Sequence, residues 1–522
     1  MKRKLLPLIA LLSLAVSSTQ GQSYEPEWRS ITQYEIPDWA LDAKFGIYAH
    51  WGPYSIIGSW EENDTYPTNG NYYTVGYRGV YSSDRSNPQR RAFEARYGKL
   101  EDGHGYYDLC RDFKARGFDP KKWAELVDLA GAKYAGMCAV HHDGYLMWSS
   151  EVSDLCAGKT GTKRDLLGEL FEELDKRGIK RIASFHHART QSFFNGFAKN
   201  LSKDPAYKNL DLFTDEGRSK YWFMCDEDEF HKRELAITNE LVNKYHPDVI
   251  WFDGGVTTGV KELLAEFLNM GEREGREVCL HNKDRMFGDD FGVYSYERGY
   301  LRPHSLLNHP WEDDETASIC GSWCWWHGIH YKPYGDIVKR LCHLVSINGG
   351  LLLSLNPRPD GSFDPEMIAQ LKGVGEWMAQ NEEAIDGTRP WKIQGEGNMD
   401  ELSLRYSWSK QMPDRYATPN VLKFKANDFR FTTKGNTLYA LQLVVPRPGS
   451  SVAIKSLSNK NVVSSGNEIR SIELLGYGKV EFARTDESCI IKLPMELPNN
   501  IVLAYKIEVE GELERVLYQG KR

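Results

Sequence analysis

From residue 44 to residue 384 the chain repeats one pattern, a short apolar run followed by a longer stretch with apolar residues at helical spacing. Strand-like runs occupy residues 44–51 (KFGIYAHW), 133–141 (KYAGMCAVH), 179–187 (IKRIASFHH), 248–253 (DVIWFD), 277–282, 291–297 and 351–356 (LLLSLN). Helical spacing fills 122–130, 165–177, 231–245, 260–273, 334–347 and 365–382. Strands that alternate with helices are parallel, because each helix returns the chain to the same end of the sheet. Their apolar runs leave no polar face, so both faces of the sheet are covered. This number of units predicts an α/β fold, a (β/α)8-type barrel. After Trp391 the helical spacing ends. Short alternating strands separated by Gly and Asn turns then predict a C-terminal β-sandwich domain. The expected domains are 22–388 and 389–522. Segment 55–105 shows neither period and is expected to form an extended loop over the barrel mouth.

Residues 1–21 start with Lys2, Arg3 and Lys4, run apolar from Leu5 to Val16 and end small and polar, the pattern of a signal peptide. That run is shorter than a membrane span. The expected address is periplasmic, extracellular or lysosomal, with no membrane span. Nine cysteines are scattered without a CxxC pair, and an odd number leaves at least one thiol unpaired. The 65 Lys and Arg against 73 Asp and Glu give a net charge of −8, with no basic block. Nucleic acid and anionic membrane are thereby poor partners. Aromatic residues make up 12% of the chain and supply flat apolar faces that can stack on sugar rings or fill a core.

In a parallel barrel the reactive groups sit at the C-terminal ends of the strands. The strand-like runs end in His50; in His141, His142 and Asp143; in His186, His187 and Arg189; in Asp253, Gly254 and Gly255; in His281, Asn282, Lys283, Asp284 and Arg285; and in Glu297. Each residue alone reads as a hydrogen-bonded core group or a helix cap. Six such ends on one face point instead to a site. Asp253 and Glu297 form the best pair of carboxylates, the minimal set for glycoside hydrolysis: one acid/base, one nucleophile or base. The histidines and Asp143 are also suitable metal ligands, so a metal-dependent hydrolase stays open as an alternative. Adjacent histidines in a strand point to opposite faces, however, and no HExxH is present. No cofactor is expected.

These residues resemble glycoside hydrolase family 29, the retaining α-L-fucosidases. The resemblance is carried by Lys44-Phe45-Gly46-Ile47 leading to His50-Trp51-Gly52-Pro53-Tyr54-Ser55, by Ala130-Gly131-Ala132-Lys133-Tyr134, by His141-His142-Asp143-Gly144 and by Trp251-Phe252-Asp253-Gly254. Further matches are Trp311-Glu312, Gly349 to Leu353 with Asn356-Pro357 and Asp360-Gly361, and Arg389-Pro390-Trp391. The resemblance implies an exo-acting retaining hydrolase of terminal α-L-fucose with Asp253 as nucleophile. It implies that His50, His141 and His142 grip sugar hydroxyls, that Trp251 lines the subsite and that Arg285 reaches it. Glu297 matches the common acid/base position, with Glu312 as the alternative. Trp323 is a candidate indole for the apolar sugar face. The sequence departs from the family at Cys138-Ala139-Val140, at the His186-His187 strand end and at Asn71-Tyr72-Tyr73. His187 and Tyr72 are accordingly candidate sugar contacts. Extra polar groups there make α-L-galactose the alternative substrate, since its C6 carries a hydroxyl that L-fucose lacks. The implied partner is an oligosaccharide or polysaccharide with either sugar at its end. A non-catalytic glycan-binding protein is the remaining alternative.

Overall fold

The computed structural model describes residues 23–60, 77–256, 258–297, 303, 305–319, 322–400, 422–514 and 516. The signal-peptide pattern and Tyr72 lie outside the described residues.

Eight parallel strands close into a barrel in chain order. They are β1 (Phe45–Ala49), β2 (Tyr134–Val140), β3 (Lys180–Phe185), β4 (Val249–Phe252), β5 (Cys279–Lys283), β6 (Val293–Glu297), β7 (Trp311–Thr316) and β8 (Gly349–Leu355). Closure comes from β1 pairing with β8, Phe45 opposite Leu351 through Ala49 opposite Leu355. Seven of these strands coincide with apolar runs. The eighth, β7, reads WEDDET and carries four consecutive acids, all buried. Around the barrel lie α1 (Pro120–Leu129), α2 (Leu166–Asp175), α3 (Thr190–Leu201), α4 (Glu227–Tyr245), α5 (Val260–Glu274), α6 (Tyr334–Ser346) and α7 (Pro365–Asn381). Asp119, Asp165 and Asp226 cap α1, α2 and α4 through their side chains, so each start is written in the sequence. The segment expected as a loop at 55–105 contains a helix, Pro88–Tyr97, begun by an Asn87 cap and a Pro at its first position.

Side chains alternate across each strand. Tyr48, Tyr134, Cys138, Ile182, Trp251, Cys279, Val293 and Leu352 pack together inside the barrel. Their neighbours one residue along face the helices. Gly46 makes room for Tyr134, whose ring would stand 2.2 Å from a Cβ at that position. Low in the barrel, Glu312 accepts from Tyr134 Oη at 2.7 Å and pairs with His281 Nδ1 at 2.8 Å. Above them Tyr48 Oη donates to Asp314 Oδ1 at 2.9 Å, and Trp251 Nε1 to Ser295 Oγ at 2.9 Å.

The C-terminal strands form a six-stranded sheet in the order β14-β13-β17-β11-β10-β9 and a three-stranded sheet in the order β12-β16-β15. Their ranges are β9 (Arg389–Glu396), β10 (Phe429–Lys434), β11 (Thr437–Gln442), β12 (Ser451–Ile454), β13 (Ile469–Leu474), β14 (Gly478–Lys479), β15 (Phe482–Arg484), β16 (Cys489–Lys492) and β17 (Leu503–Val509). Trp391, Phe431, Leu438, Ile454, Leu474, Ile491 and Tyr505 fill the space between the sheets. The larger sheet rests on α6 and α7. Arg430 Nε donates to His343 Nδ1 of α6 at 2.8 Å, and Trp377 Nε1 of α7 donates to the Val502 carbonyl at 2.9 Å. Among the described residues no helix is long and apolar enough to cross a membrane.

Candidate active site

The inward phase of the strands decides which side chains reach the barrel mouth. His50 lies two positions beyond Tyr48, His186 two beyond Ser184, and Asp253 two beyond Trp251. Lys283 and Glu297 end β5 and β6 in the same phase. At this end a single buried ammonium joins two carboxylates: Lys283 Nζ is 2.5 Å from Asp253 Oδ1 and 2.9 Å from Glu297 Oε2. The same ammonium sits over the Trp251 ring at 4.9 Å. His142 Nε2 approaches Asp253 Oδ2 at 3.4 Å. Gly254, in the left-handed region at φ 76, turns the chain away directly after Asp253. A Cβ there would stand 2.9 Å from Arg189 Nε.

Burial would raise the Asp253 pKa. Lys283, His142 and Arg189 outweigh it and hold this carboxyl well below the usual carboxylate range. Burial likewise opposes the charge of Lys283, but Asp253, Glu297 and Asp314 raise its pKa above the ordinary lysine value. Asp253 is therefore ionised at neutral pH.

A wall of imidazoles stands beside the carboxylates. His141 stacks on His186 with centroids 4.7 Å apart and planes at 25°. His50 meets both edge-on, at 5.4 Å and 5.3 Å. Trp323 lies over His50 at 4.9 Å. Ser354 Oγ is 2.8 Å from His50 Nδ1. Burial lowers the pKa of His50 to about 3 and of His142 to about 4, and pushes His141 and His186 well below their ordinary value. All four are neutral at physiological pH and can both donate to and accept from sugar hydroxyls.

The structure thus brings together Asp253, Glu297, His50, His141, His142, Trp251 and Trp323. Trp251 is wholly buried beneath His186 at 5.0 Å, as a floor to the site. Three expected site residues are elsewhere. Glu312 is on the low side of the barrel with His281, beside a cleft lined by Trp39, Lys44 and Tyr134. It lies four residues from the upper end of β7 and does not reach the mouth. His187 is out of phase with His186. It points between the barrel and α4, toward Thr238 at 3.4 Å and Glu234 at 3.9 Å. Arg285 turns outward over Tyr294 and is held by Asp289 and Tyr296, each at 3.3 Å.

Two groups at the mouth, Lys283 and His186, lie at strand ends that the sequence marks, but the expected sugar contacts are their neighbours Arg285 and His187. Lys283 lay inside a strand end that was noticed, but Arg285 was preferred. Counting inward positions from His281 would have found it. His186 was overshadowed by His187, although alternation from Ile182 through Ser184 selects it. The adjacent pair His141 and His142, by contrast, both remain at the site. The β2–β3 register slips between Cys138 and Val140, so that Cys138 faces Ser184 but Val140 faces Phe185. This bulge resets the phase and brings His141 inward, and His142 follows beyond the strand in a turn.

The family pattern of alpha-L-fucosidase matches residues 11–383. The tissue alpha-L-fucosidase of Rattus norvegicus is 31% identical over 411 residues, covering 74% of this chain and 79% of the relative. The tissue alpha-L-fucosidase of Homo sapiens is 27% identical over 533 residues, covering 97% of each. Among solved structures, Thermotoga maritima alpha-fucosidase in complex with fucose aligns with a TM-score of 0.66 at 24% identity, over 93% of this chain and all of that one. The match of the family pattern to most of the chain, on a barrel with paired carboxylates at its mouth, places this chain in the alpha-L-fucosidase family of glycoside hydrolases.

Proposed function

We propose that this chain releases terminal α-L-fucose from glycans by double displacement, with Asp253 as nucleophile and Glu297 as acid/base. The observation that carries the reading is the Lys283 ammonium between them. At 2.5 Å and 2.9 Å from one nitrogen, the two oxygens stand no farther apart than those distances laid end to end. That supports the spacing of about 5–5.5 Å used by retaining enzymes over the about 6.5–9.5 Å that leaves room for an inverting water.

The chemistry follows from the charges. Asp253 attacks the anomeric carbon while Glu297 protonates the departing glycosidic oxygen. Asp253 becomes a neutral ester and Glu297 a carboxylate, so one negative charge crosses from one side of Lys283 to the other. A cation placed between them stabilises the charge at both ends of the step without moving. In the second half Glu297 takes a proton from water, the water attacks the anomeric carbon, and Asp253 is released. The neutral histidine wall supplies hydrogen bonds to ring hydroxyls, which strengthen as the sugar becomes oxocarbenium-like. The oligosaccharide substrate and export through residues 1–21 belong to the same proposal.

The test is the anomeric configuration of the first product from an aryl α-L-fucoside, followed by proton NMR. The α-anomer is expected, and a β-product overturns the scheme. Chelation by EDTA leaves turnover undiminished, because the two carboxylates do the chemistry; a loss restored by zinc would give the histidines a catalytic metal.

A second reading, release of α-L-galactose, is favoured by one feature. His186 Nδ1 is buried without a hydrogen-bond partner, and in this reading its partner is the C6 hydroxyl, which L-fucose lacks, rather than a ring hydroxyl common to both sugars. A site built around such a bond prefers the galactoside by about tenfold or more, since an unmade buried bond costs about 1–3 kcal/mol. Membership of the family supports the fucoside, and parallel kcat/KM values on the two aryl glycosides decide between them.

A further inference from the structure

We propose that His50, Cys138 and His186 form a binding site for a thiophilic divalent cation of the zinc type, and that its occupation closes the sugar pocket. The part concerning the pocket rests on the functional reading above; the site itself does not.

The three side chains come from the ends of β1 and β3 (His50, His186) and from within β2 (Cys138), they converge at the base of the histidine wall, and all are buried. One ligand atom from each lies within 4.8 Å of the other two. Ligand atoms on one tetrahedral zinc stand about 3.5 Å apart, so the three must draw together by about an ångström to share one ion. Cys138 is a free thiol in the interior layer of the barrel. The bulge that follows it leaves it in the inward phase, directly below His50 and His186. His186 Nδ1 has no partner, and a buried imidazole nitrogen in that state gains from any Lewis acid it meets. His50 has Ser354 Oγ at Nδ1, the kind of outer bond that orients a ligating imidazole and fixes its tautomer.

The donor set selects the cation. One sulfur and two imidazole nitrogens suit zinc and its neighbours, whereas magnesium and calcium need oxygen ligands. On coordination the thiol S–H bond breaks, a sulfur–metal bond forms and the proton passes to solvent; no electrons are transferred. Three protein ligands leave the fourth position to water. His50, which grips sugar in the functional reading, would then be turned to the metal, so zinc and glycoside compete.

The experiment uses the full chain freed of metal by chelation. Zinc chloride is titrated calorimetrically into the native protein and into Cys138→Ser and Cys138→Ala, and cobalt chloride is followed by its thiolate charge-transfer absorbance. One equivalent is expected to bind the native chain, with the charge-transfer band present. Because altering even an outer-shell partner costs about 10–100-fold, both cysteine variants are expected to bind at least about tenfold more weakly, without the band. In steady-state assays zinc raises KM for the aryl α-L-fucoside and leaves kcat unchanged, while magnesium changes neither constant. Cys138→Ala retains native kcat and loses the zinc effect. Equal affinity in the native chain and both variants, or absence of the band, overturns the site. Zinc inhibition that survives in a folded Cys138→Ala protein overturns its link to the pocket. Should the native protein cleave neither aryl glycoside, the functional reading falls, and the calorimetric arm still decides the metal site.

Discussion

The charge on Lys283 lies where water cannot solvate it, and the carboxylates of Asp253, Glu297 and Asp314 keep it there. Lys283→Met removes the cation and strands Asp253 in a buried position. Its carboxyl pKa then rises, because burial raises it and Lys283 is the strongest force opposing that rise. We expect a large fall in kcat and an acid limb of the kcat/KM profile displaced to higher pH; an unmoved limb would deny Lys283 its electrostatic role. Glu297→Gln removes the proposed proton donor, and general acid–base help is worth about 10²–10⁴-fold in turnover. The loss should shrink for aryl leaving groups that depart without a proton. Glu312→Gln should lower the melting temperature and spare the profile, because that carboxylate serves His281 and Tyr134 low in the barrel. His186 and His187 offer a neighbouring contrast. His186→Ala should lower kcat/KM, whereas His187→Ala should leave it unchanged and lower stability, because His187 packs against Trp222 and α4. Asp253 was legible in the sequence because it ends an apolar run before two glycines. Lys283 was not, because a lysine inside a strand reads as a surface residue until its two partners are known.

At the level of the element, β7 shows why one strand of eight escaped notice. Four acids in succession contradict the apolar rule for buried parallel strands. Each is satisfied by neighbours from other elements, and two of them share Arg340. Inward, Glu312 has His281 and Tyr134, and Asp314 has Tyr48, with burial raising the Asp314 pKa well above the usual range. Outward, Arg340 of α6 stands 3.2 Å from both Asp313 and Glu315, and Lys332 is 3.3 Å from Glu315. Every one of these partners is 17 or more residues away, so no local period reveals them. The strand ends also make stability depend on pH in two opposite senses. His50 and His142 are neutral in the fold down to about 3 and about 4, and the unfolded chain takes up their protons below about 6.5. Their contribution is whole above that value and is lost as pH falls. His281 is charged. Burial lowers its pKa, but Glu312 raises it further, to about 10. Its contribution is whole below its ordinary value and is lost as pH rises toward about 10. A denaturant midpoint measured from pH 4 to pH 9 should therefore rise from the acid side, pass a maximum near pH 7 and decline toward pH 9. In His281→Gln the decline on the alkaline side should be reduced.

Across the whole molecule, α6 is enclosed on two sides, by the barrel strands and by the C-terminal sheet. Arg430 is the deepest link. Besides His343 it donates to the carbonyls of Phe429 at 2.8 Å, Asn398 at 2.5 Å and Glu396 at 3.3 Å. Arg430→Met leaves these carbonyls without that donor, at about 1–3 kcal/mol for each buried acceptor not rescued by water. The melting temperature should drop while kcat stays native, since the barrel mouth is untouched. Barrel and sandwich were both foreseeable from the change of period after Trp391. Their mutual packing was not, because it depends on buried polar residues such as Arg430 and His343, which sequence alone assigns to the surface. The pairing of β1 with β8 reaches further, into synthesis. While the ribosome is still making the seventh strand, the first already has a bare edge, and it keeps that edge until Gly349–Leu355 leaves the exit tunnel. A nascent chain of this protein therefore spends most of its translation as an open sheet inviting other strands, and its yield in a cell should depend on chaperones that shield that edge.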